Sequence, residues 1–577
     1  MRTPKLLKVL SFTLACSLAP LSQTVHANQS AIYSNMSVAQ PVWAKHGMVA
    51  SQEALASQVG VDILKKGGNA VDAAVAVGFA LSVTLPRAGN IGGGGFMLVH
   101  LADKNKTIAI DYRETAPMKA HKDMYLDEQG NVVKKLSREH GLAVGVPGTV
   151  MGLSQALEKY GTMTLKEVIQ PSIDLAKNGI SVTADLATSL AALKRRISQW
   201  PSSAKIFYKA DGSNFQPGDK LIQKDLSHSL QLIADKGIDG FYKGETAKKI
   251  VEAVKNAGGN LTMQDFANYK VIERKPIVGT YRGYKVASMP PPSSGGIHLI
   301  EMLNVLENFP IKKYGANSAQ TIHVMAETMK RAYADRSEYL GDPSFYKVPV
   351  KQLTSKEYAK HIAKHISMNK AKPSSEIKPG KLAPYESAQT THYSVIDKWG
   401  NAVSNTYTLN FSYGSGLVAK GTGILLNNEM DDFSAKPGAP NGYGLVGGDA
   451  NSIEPGKRPL SSMTPTIVFK GNKPFLVTGS PGGSRIITTV MQIIMNVIDH
   501  NMNIQEATNS PRIHHQWLPD EIRTERSLNG DTIRLLESMG HKVSIKSSMG
   551  STQSIEVSDQ GLFGASDPRR SGKAVGY

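Results

Sequence analysis

The sequence predicts an α+β protein folded as a four-layer αββα sandwich, and three observations carry that prediction. Two helices followed by two strands open the chain, read from apolar spacing of helical and then of alternating period. Strand hairpins and a helix after a Gly-rich turn close it. The stretch between, about 120–380, is mostly helical. Strand pairs flanked by helix pairs at both ends of the chain predict one layered core assembled from both halves. At 577 residues, with 41% hydrophobic and 20% charged residues, the chain has ordinary globular composition and can bury a large core.

The first 27 residues read as a secretory signal outside that core. "MRTPKLLK" is a positive leader, "VLSFTLACSLA" a short apolar run, and "VHA" a small-x-small cleavage site before Asn28. The apolar run is too short to span a bilayer. "TLAC" at 13–16 departs from a lipidation signal, because Thr13 stands where Leu is usual. Cys16 is the only cysteine and lies in this segment. The mature protein then has no thiol, which excludes disulfides and cysteine catalysis and suits an oxidising compartment. The formal net charge of +18 falls to +15 once Arg2, Lys5 and Lys8 leave with the signal. The basic residues are dispersed and lack interleaved aromatics, so no nucleic-acid partner is expected. "KRR" at 194–196 reads as a solvated helix face.

The elements follow in order. "SQEALASQVGVDILKKGG" has helical apolar spacing and stops on a Gly pair. "NAVDAAVAVGFALSV" is a second helix. The apolar run 73–86 within it follows Asp72 and is Ala-rich, so it reads as buried and not as a membrane span. "GFMLVHL" and "TIAIDYRE" are strands joined by "ADKNK". Helices are expected near 166–177, 185–198, 245–257, 318–339 and 355–366. "THYSVID" and "AVSNTYTL" form a hairpin about "KWGN", and "PTIVFK" and "PFLVTG" a second about "GNK". "SRIITTVMQIIMNVIDH" is the last long helix. "SMPPPSSGGIH" (288–298) and "PGAPNGYGLVGG" (437–448) are either loops lining a site or plain surface turns.

Several chemistries fail on inspection. His361 and His365 have i, i+4 spacing but lack an adjacent Glu and a third ligand, and His514-His515 lack partners, so no metal is expected. "GNIGGGGF" (89–96) has neither the Lys-Ser/Thr of a phosphate loop nor a strand-then-helix setting. "GSPGGSR" (479–485) does follow a strand and open a helix. Free backbone N–H groups at Gly482 and Gly483 would suit a developing oxyanion there. "AQTTHYSVID" sets Thr390 directly before a strand. That is either a solvated loop or a concealed N-terminus, for which a cut between Gln389 and Thr390 would free an amine with pKa near ~8 to serve the Thr hydroxyl as its base.

"QTTHYSVIDKWGNAVS", "GTGILLNNEMDDFS", "KRPLSSMTPTIV", "TGSPGGSRI", "GNIGGGGFMLV", "AIDYRETAP" and "PPPSSGGIH" together resemble γ-glutamyltransferase (γ-glutamyltranspeptidase), a family of N-terminal nucleophile hydrolases, from about residue 45 to the C-terminus. The organisation is most similar to the periplasmic bacterial members. The resemblance implies the αββα fold and autocatalytic cleavage between Gln389 and Thr390. It implies a large subunit 28–389 and a small subunit 390–577 that remain a heterodimer around one core. Thr390 matches the nucleophile, Thr408 the supporting hydroxyl, and Gly482 and Gly483 the oxyanion hole. Arg113, Ser461 and Ser462 match the grip on the substrate α-carboxylate, and a guanidinium fork suits a carboxylate. Asn410, Glu429 and Asp432 match the α-ammonium site, and Tyr443 the gate of a lid formed by 437–448. Glutathione and other γ-glutamyl compounds are the implied donors. Water, amino acids and dipeptides are the implied acceptors, and no cofactor is expected. The rivals are an acylase using the same Thr machinery on bare dicarboxylates, a processed binding protein without turnover, and a binder of anionic surfaces.

Overall fold

The computed structural model describes residues 37–378, 390–436, 441, 445 and 447–577. The segment 1–27, Gln389 and Tyr443 lie outside the described residues. Two seven-stranded sheets form the centre. The first runs edge to edge as Lys573–Gly576, Met48–Ser51, Thr391–Ile396, Ala402–Thr408, Gly94–Leu101, Lys106–Tyr112 and Ile272–Arg274. The second runs as Val42–Ala44, Gly561–Ser566, Gln553–Ser558, Lys473–Thr478, Thr466–Lys470, Tyr284–Ser288 and Ile277–Tyr281. Each sheet takes strands from both sides of residue 390.

Strand alternation assigns the layers. In the first sheet, Met97, Val99, Ile108, Ile110, Tyr393, Val395 and Val403 share a core with helices Ala54–Lys65 and Ala70–Thr84. Their neighbours Phe96, Leu98, Ala109, Ile396 and Ala402 turn inward and share a second core with strands Thr466–Lys470 and Lys473–Thr478 of the second sheet. Helices Gly295–Leu306, Ala319–Tyr339 and Arg485–Ile498 cover the far side of that sheet. The order is therefore helix, sheet, sheet, helix, as the sequence predicts.

The helix Ala70–Thr84 is buried along its whole length. Each fully buried Val, Leu or Phe there contributes roughly 1.5–3 kcal/mol. Asn69 and Asp72 close a capping box at its start. Asp72 is fully buried and also accepts from Thr162 N–H, Thr162 Oγ1 and Met163 N–H at 2.6–3.0 Å, which ties the helix to the next layer of chain. Among the described residues no helix is long and apolar enough to cross a membrane.

Three expectations change. The helix expected over 185–198 breaks at Leu193 into Ala184–Ala192 and Lys194–Ser198. Arg196 of the "KRR" cluster is half-buried and donates to Ser412 and Gly414 carbonyls, because the chain after Thr408 folds back under it. The largely helical middle also contains the hairpin Ile277–Tyr281/Tyr284–Ser288. Arg282 and Gly283, both at positive φ, make its two-residue turn.

The glycine run that failed as a phosphate loop is a packing device. A Cβ on Gly92 would stand 2.1 Å from Leu425 O, on Gly93 2.0 Å from Thr408 O, and on Gly94 2.5 Å from Tyr112 O. Such contacts are with backbone, which cannot yield as a flexible side chain would. Gly93→Ala is expected to displace Thr408, to cost more than ~2 kcal/mol in urea unfolding, and to slow self-cleavage. Wild-type stability and cleavage in that variant would refute the packing account.

Candidate active site

The hairpin Thr391–Ile396/Ala402–Thr408 builds the centre of the site. Its register pairs Thr391 with Tyr407, which sets Thr390 opposite Thr408. The two hydroxyl oxygens lie 3.4 Å apart, and both residues are buried. The Asn410 N–H donates to Thr408 Oγ1 at 2.8 Å. That bond occupies a lone pair of Thr408. Asn410 sits at φ 74°, the tight bend that brings its N–H back onto Thr408.

The nearest histidine does not serve Thr390. His392 lies two residues along on the same face, but its Nδ1 meets Thr406 Oγ1 at 2.8 Å and its Nε2 meets Ser394 Oγ at 3.1 Å. Burial pushes its pKa down to about 3, so the ring is neutral.

Thr390 opens on a small cleft lined by Arg113, Asn410, Glu429, Asp432, Ser461 and Gly483, among others. Gly482 adjoins it on the turn between strand Lys473–Thr478 and helix Arg485–Ile498. Gly482 and Gly483 have φ of 141° and 57°, and neither N–H donates to a described residue. Leu445 reaches the cleft from the 437–448 segment.

The charged end of the cleft is one cluster. Arg113 is fully buried and donates through Nη1 to Glu429 and through Nη2 to Asp432. Pro459 and Leu460 carbonyls take further guanidinium protons at 3.3 and 3.4 Å. Glu114 lies 3.7 Å from the same guanidinium. Burial works against the Arg113 charge, yet Glu429, Asp432 and Glu114 outweigh it and hold the pKa above the usual value. The carboxyl groups go the other way. Burial raises Glu429 and Asp432 against the pull of Arg113, and raises Glu114 to about 7. The cluster thus sets three carboxyl groups against one cation. Asp431 is separate: it accepts from Ser137 Oγ at 2.5 Å and Arg138 Nε at 3.3 Å, a structural clamp.

The Pro-rich stretch 288–298 resolves as a buried wall, not a surface turn. Ser293 bridges to Ser461, and Ser294 N–H and Oγ both donate to Ser461 O at 2.8 Å. His361, in helix Lys356–Lys364, and His365, just past its end, are exposed. Among the lining residues that sequence reasoning missed, Arg336 is the charged one. It lies in helix Ala319–Tyr339, donates to Ser294 Oγ at 2.9 Å and Ser462 Oγ at 3.1 Å, and is buried. One Arg among the several charged residues of a long helix gives no signal; only the tertiary fold turns it inward.

Two facing sheets between helix layers, with a hydroxyl residue opening a central strand onto a cleft, define an N-terminal nucleophile hydrolase. The family model described as gamma-glutamyltranspeptidase matches residues 56–577. The chain is 61% identical over 533 residues to a glutathione hydrolase proenzyme of Escherichia coli (strain K12), covering 92% of each. A cephalosporin acylase structure from Bacillus halodurans superposes with TM-score 0.83 at 31% identity, over 95% of this chain and 98% of that one. A gamma-glutamyltranspeptidase chain from Helicobacter pylori gives TM-score 0.57 at 48% identity, over 60% of this chain and 97% of that one. The chain belongs to the gamma-glutamyltranspeptidase family.

Behind Arg336, Glu301 and Asp335 form a buried carboxyl pair. His298 Nδ1 meets Glu301 Oε2 at 2.6 Å, and Tyr358 O–H donates to Asp335 Oδ2 at 2.6 Å. Burial raises both acids to about 8, helped at Asp335 by the charge of Glu301. The folded chain therefore holds protons that the unfolded chain releases near pH ~4. The stability these protons give is fully present below that pH and is lost as pH rises through about 8. The urea midpoint should fall between pH 6 and pH 9, and Glu301→Gln should flatten that fall. An unchanged slope in the variant would place the pH sensitivity elsewhere.

Proposed function

We propose that the chain cuts itself before Thr390 and then cleaves γ-glutamyl amides, glutathione among them, through a γ-glutamyl ester of Thr390. The observation that carries this reading is the cleft itself: a Thr pair at one end and a cluster of a guanidinium with carboxyl groups at the other. In the cut, Thr390 Oγ attacks the Gln389 carbonyl, the peptide shifts to an ester, and water releases it. The Thr390 amine so formed is the base, consistent with a neutral, fully engaged His392.

In turnover, that amine takes the hydroxyl proton as Oγ attacks the γ-carbonyl. Gly482 and Gly483 N–H groups stabilise the oxyanion. The amine returns the proton to the leaving nitrogen, and the ester then passes to water or to the amine of an amino acid or dipeptide. Substrate enters by exchange of partners. Its α-ammonium replaces Arg113 beside Glu429 and Asp432, with Asn410, while its α-carboxylate takes Arg113, Ser461 and Ser462. A zwitterionic head leaves the net charge of the site unchanged, which a buried site favours. Tyr443 is the proposed gate. The charge of this head group favours the γ-glutamyl reading over the acylase one, although the superposition on a cephalosporin acylase keeps that rival specific.

Cleavage would divide the mature chain into 28–389 and 390–577. Both parts supply strands to both sheets, so they should co-elute after cleavage and separate only in denaturant. The leading 27 residues support export to the periplasm.

The function is tested with the processed protein on L-γ-glutamyl-p-nitroanilide and glutaryl-p-nitroanilide, which lacks the α-amino group. Loss of the ammonium strands two carboxyl groups, so kcat/KM should favour the γ-glutamyl compound by about 100-fold or more. Preference for the glutaryl compound would establish the acylase reading instead.

A further inference from the structure

Arg336 is a buried guanidinium without an ion pair. No described carboxylate lies within 4 Å of it, whereas Arg113 has three. Its sequence neighbour Asp335 points away, toward Tyr358 and Glu301. Its Nε and Nη2 are spent on serine hydroxyls, Ser294 and Ser462. Its remaining Nη1 makes no hydrogen bond to a described residue, and the side chain lines the cleft that holds Thr390. Burial lowers its pKa only to about 10, so it is cationic at neutral pH. Only the charge of Asp432, beyond ion-pair distance, offsets it, and such a buried cation at the edge of a cleft is costly unless an anion visits.

The directions of its hydrogen bonds matter more than the charge. A guanidinium only donates. Ser462 Oγ must therefore accept from Arg336, which leaves its own proton to be given elsewhere. Ser461 Oγ is fixed the same way, accepting from Met463 N–H at 3.1 Å. Among the described residues neither hydroxyl has an acceptor. Ser294 completes the arrangement: its lone pair receives Arg336 Nε, and its proton goes to Ser461 O. Two hydroxyl protons and a spare Nη1 are left facing the cleft.

We infer that Arg336 is a positioning and specificity residue, which holds the Ser462 hydroxyl directly and the Ser461 backbone through Ser294, so that the two serine hydroxyl protons face the cleft and it takes a free carboxylate in preference to a carboxamide. This rests on the γ-glutamyl reading above. A carboxylate is acceptor-only and satisfies every donor present. A carboxamide brings an NH2 that faces fixed donors, which is a built-in mismatch.

The test compares wild type, Arg336→Met, Arg336→Lys and Ser294→Ala on L-γ-glutamyl-p-nitroanilide and on the same anilide with its α-carboxylate converted to a carboxamide. Intact mass and the urea midpoint report cleavage and folding in each. Wild type should favour the carboxylate by about 100-fold or more in kcat/KM. In Arg336→Met, KM for the carboxylate substrate should rise about 10- to 100-fold with kcat within about 3-fold, and the preference should fall below about 10-fold. Arg336→Lys keeps the charge without the fork and should fall between. Ser294→Ala, which leaves every lining residue in place, should shift the preference in the same direction. An unchanged KM and unchanged preference in cleaved Arg336→Met would overturn the inference. If that variant does not fold, wild-type preference in both Arg336→Lys and Ser294→Ala would do so. A cleaved wild type inactive on the carboxylate anilide would instead sink the γ-glutamyl reading.

Discussion

The pairing of Thr391–Ile396 with Ala402–Thr408 governs the rest of the molecule. A strand register has a period of two, so a slip of one residue would turn every side chain to the opposite face. Here the register sends Tyr393, Val395, Val403 and Tyr407 to the outer helices and Thr390, His392, Thr406 and Thr408 inward. It also places Thr390 opposite Thr408 at the end of a central strand. Neighbouring strands on both flanks, Met48–Ser51 and Gly94–Leu101, come from the other side of residue 390 and lock that register in place. The glycine run allows the second of these strands to pass close beneath Thr408. A nucleophile positioned this way is held by a sheet and not by a loop, which preserves geometry through a change as large as a chain cut.

The second constraint is desolvation. The far end of the cleft holds Arg113, Glu114 and Glu429, all buried, and the partly buried Asp432. Charges there cannot lean on water, so they lean on one another, and the carboxyl groups are raised in consequence. In the proposed reaction an incoming amino-acid head would supply a cation and an anion together. Arg336 stands outside this pairing, and its lack of a carboxylate separates it from Arg113 although both line one cleft.

Much of this was legible in the sequence because local signals agreed with the fold. The "KWGN" and "GNK" hairpins, the capped helix from Ala70 and the Gly-rich turn before Arg485 form where their turn residues predict. The hairpin about Arg282-Gly283 was equally marked by its turn and alternation, but it is set among helices. The short strands Val42–Ala44 and Met48–Ser51 carry little pattern of their own, since long-range pairing defines them. Long motifs drew Arg113, Asn410, Glu429, Asp432, Ser461 and Ser462 together, and the cleft holds all of them. What no local pattern gives is the direction of a lone side chain. Arg336 and Asp335 are adjacent, yet one faces the cleft and the other a buried acid pair. The 288–298 stretch reads equally as loop or wall until its serines meet Ser461.

The central claim is that Thr390 acquires its base by becoming an N-terminus. Intact mass and N-terminal sequencing of purified wild type beside Thr390→Ala test it most directly. The account predicts two chains in the wild type, the smaller beginning Thr-Thr-His-Tyr, and one uncut chain in the variant. A single uncut wild-type chain that turns over γ-glutamyl-p-nitroanilide would contradict it, because the hydroxyl would then be working without the amine.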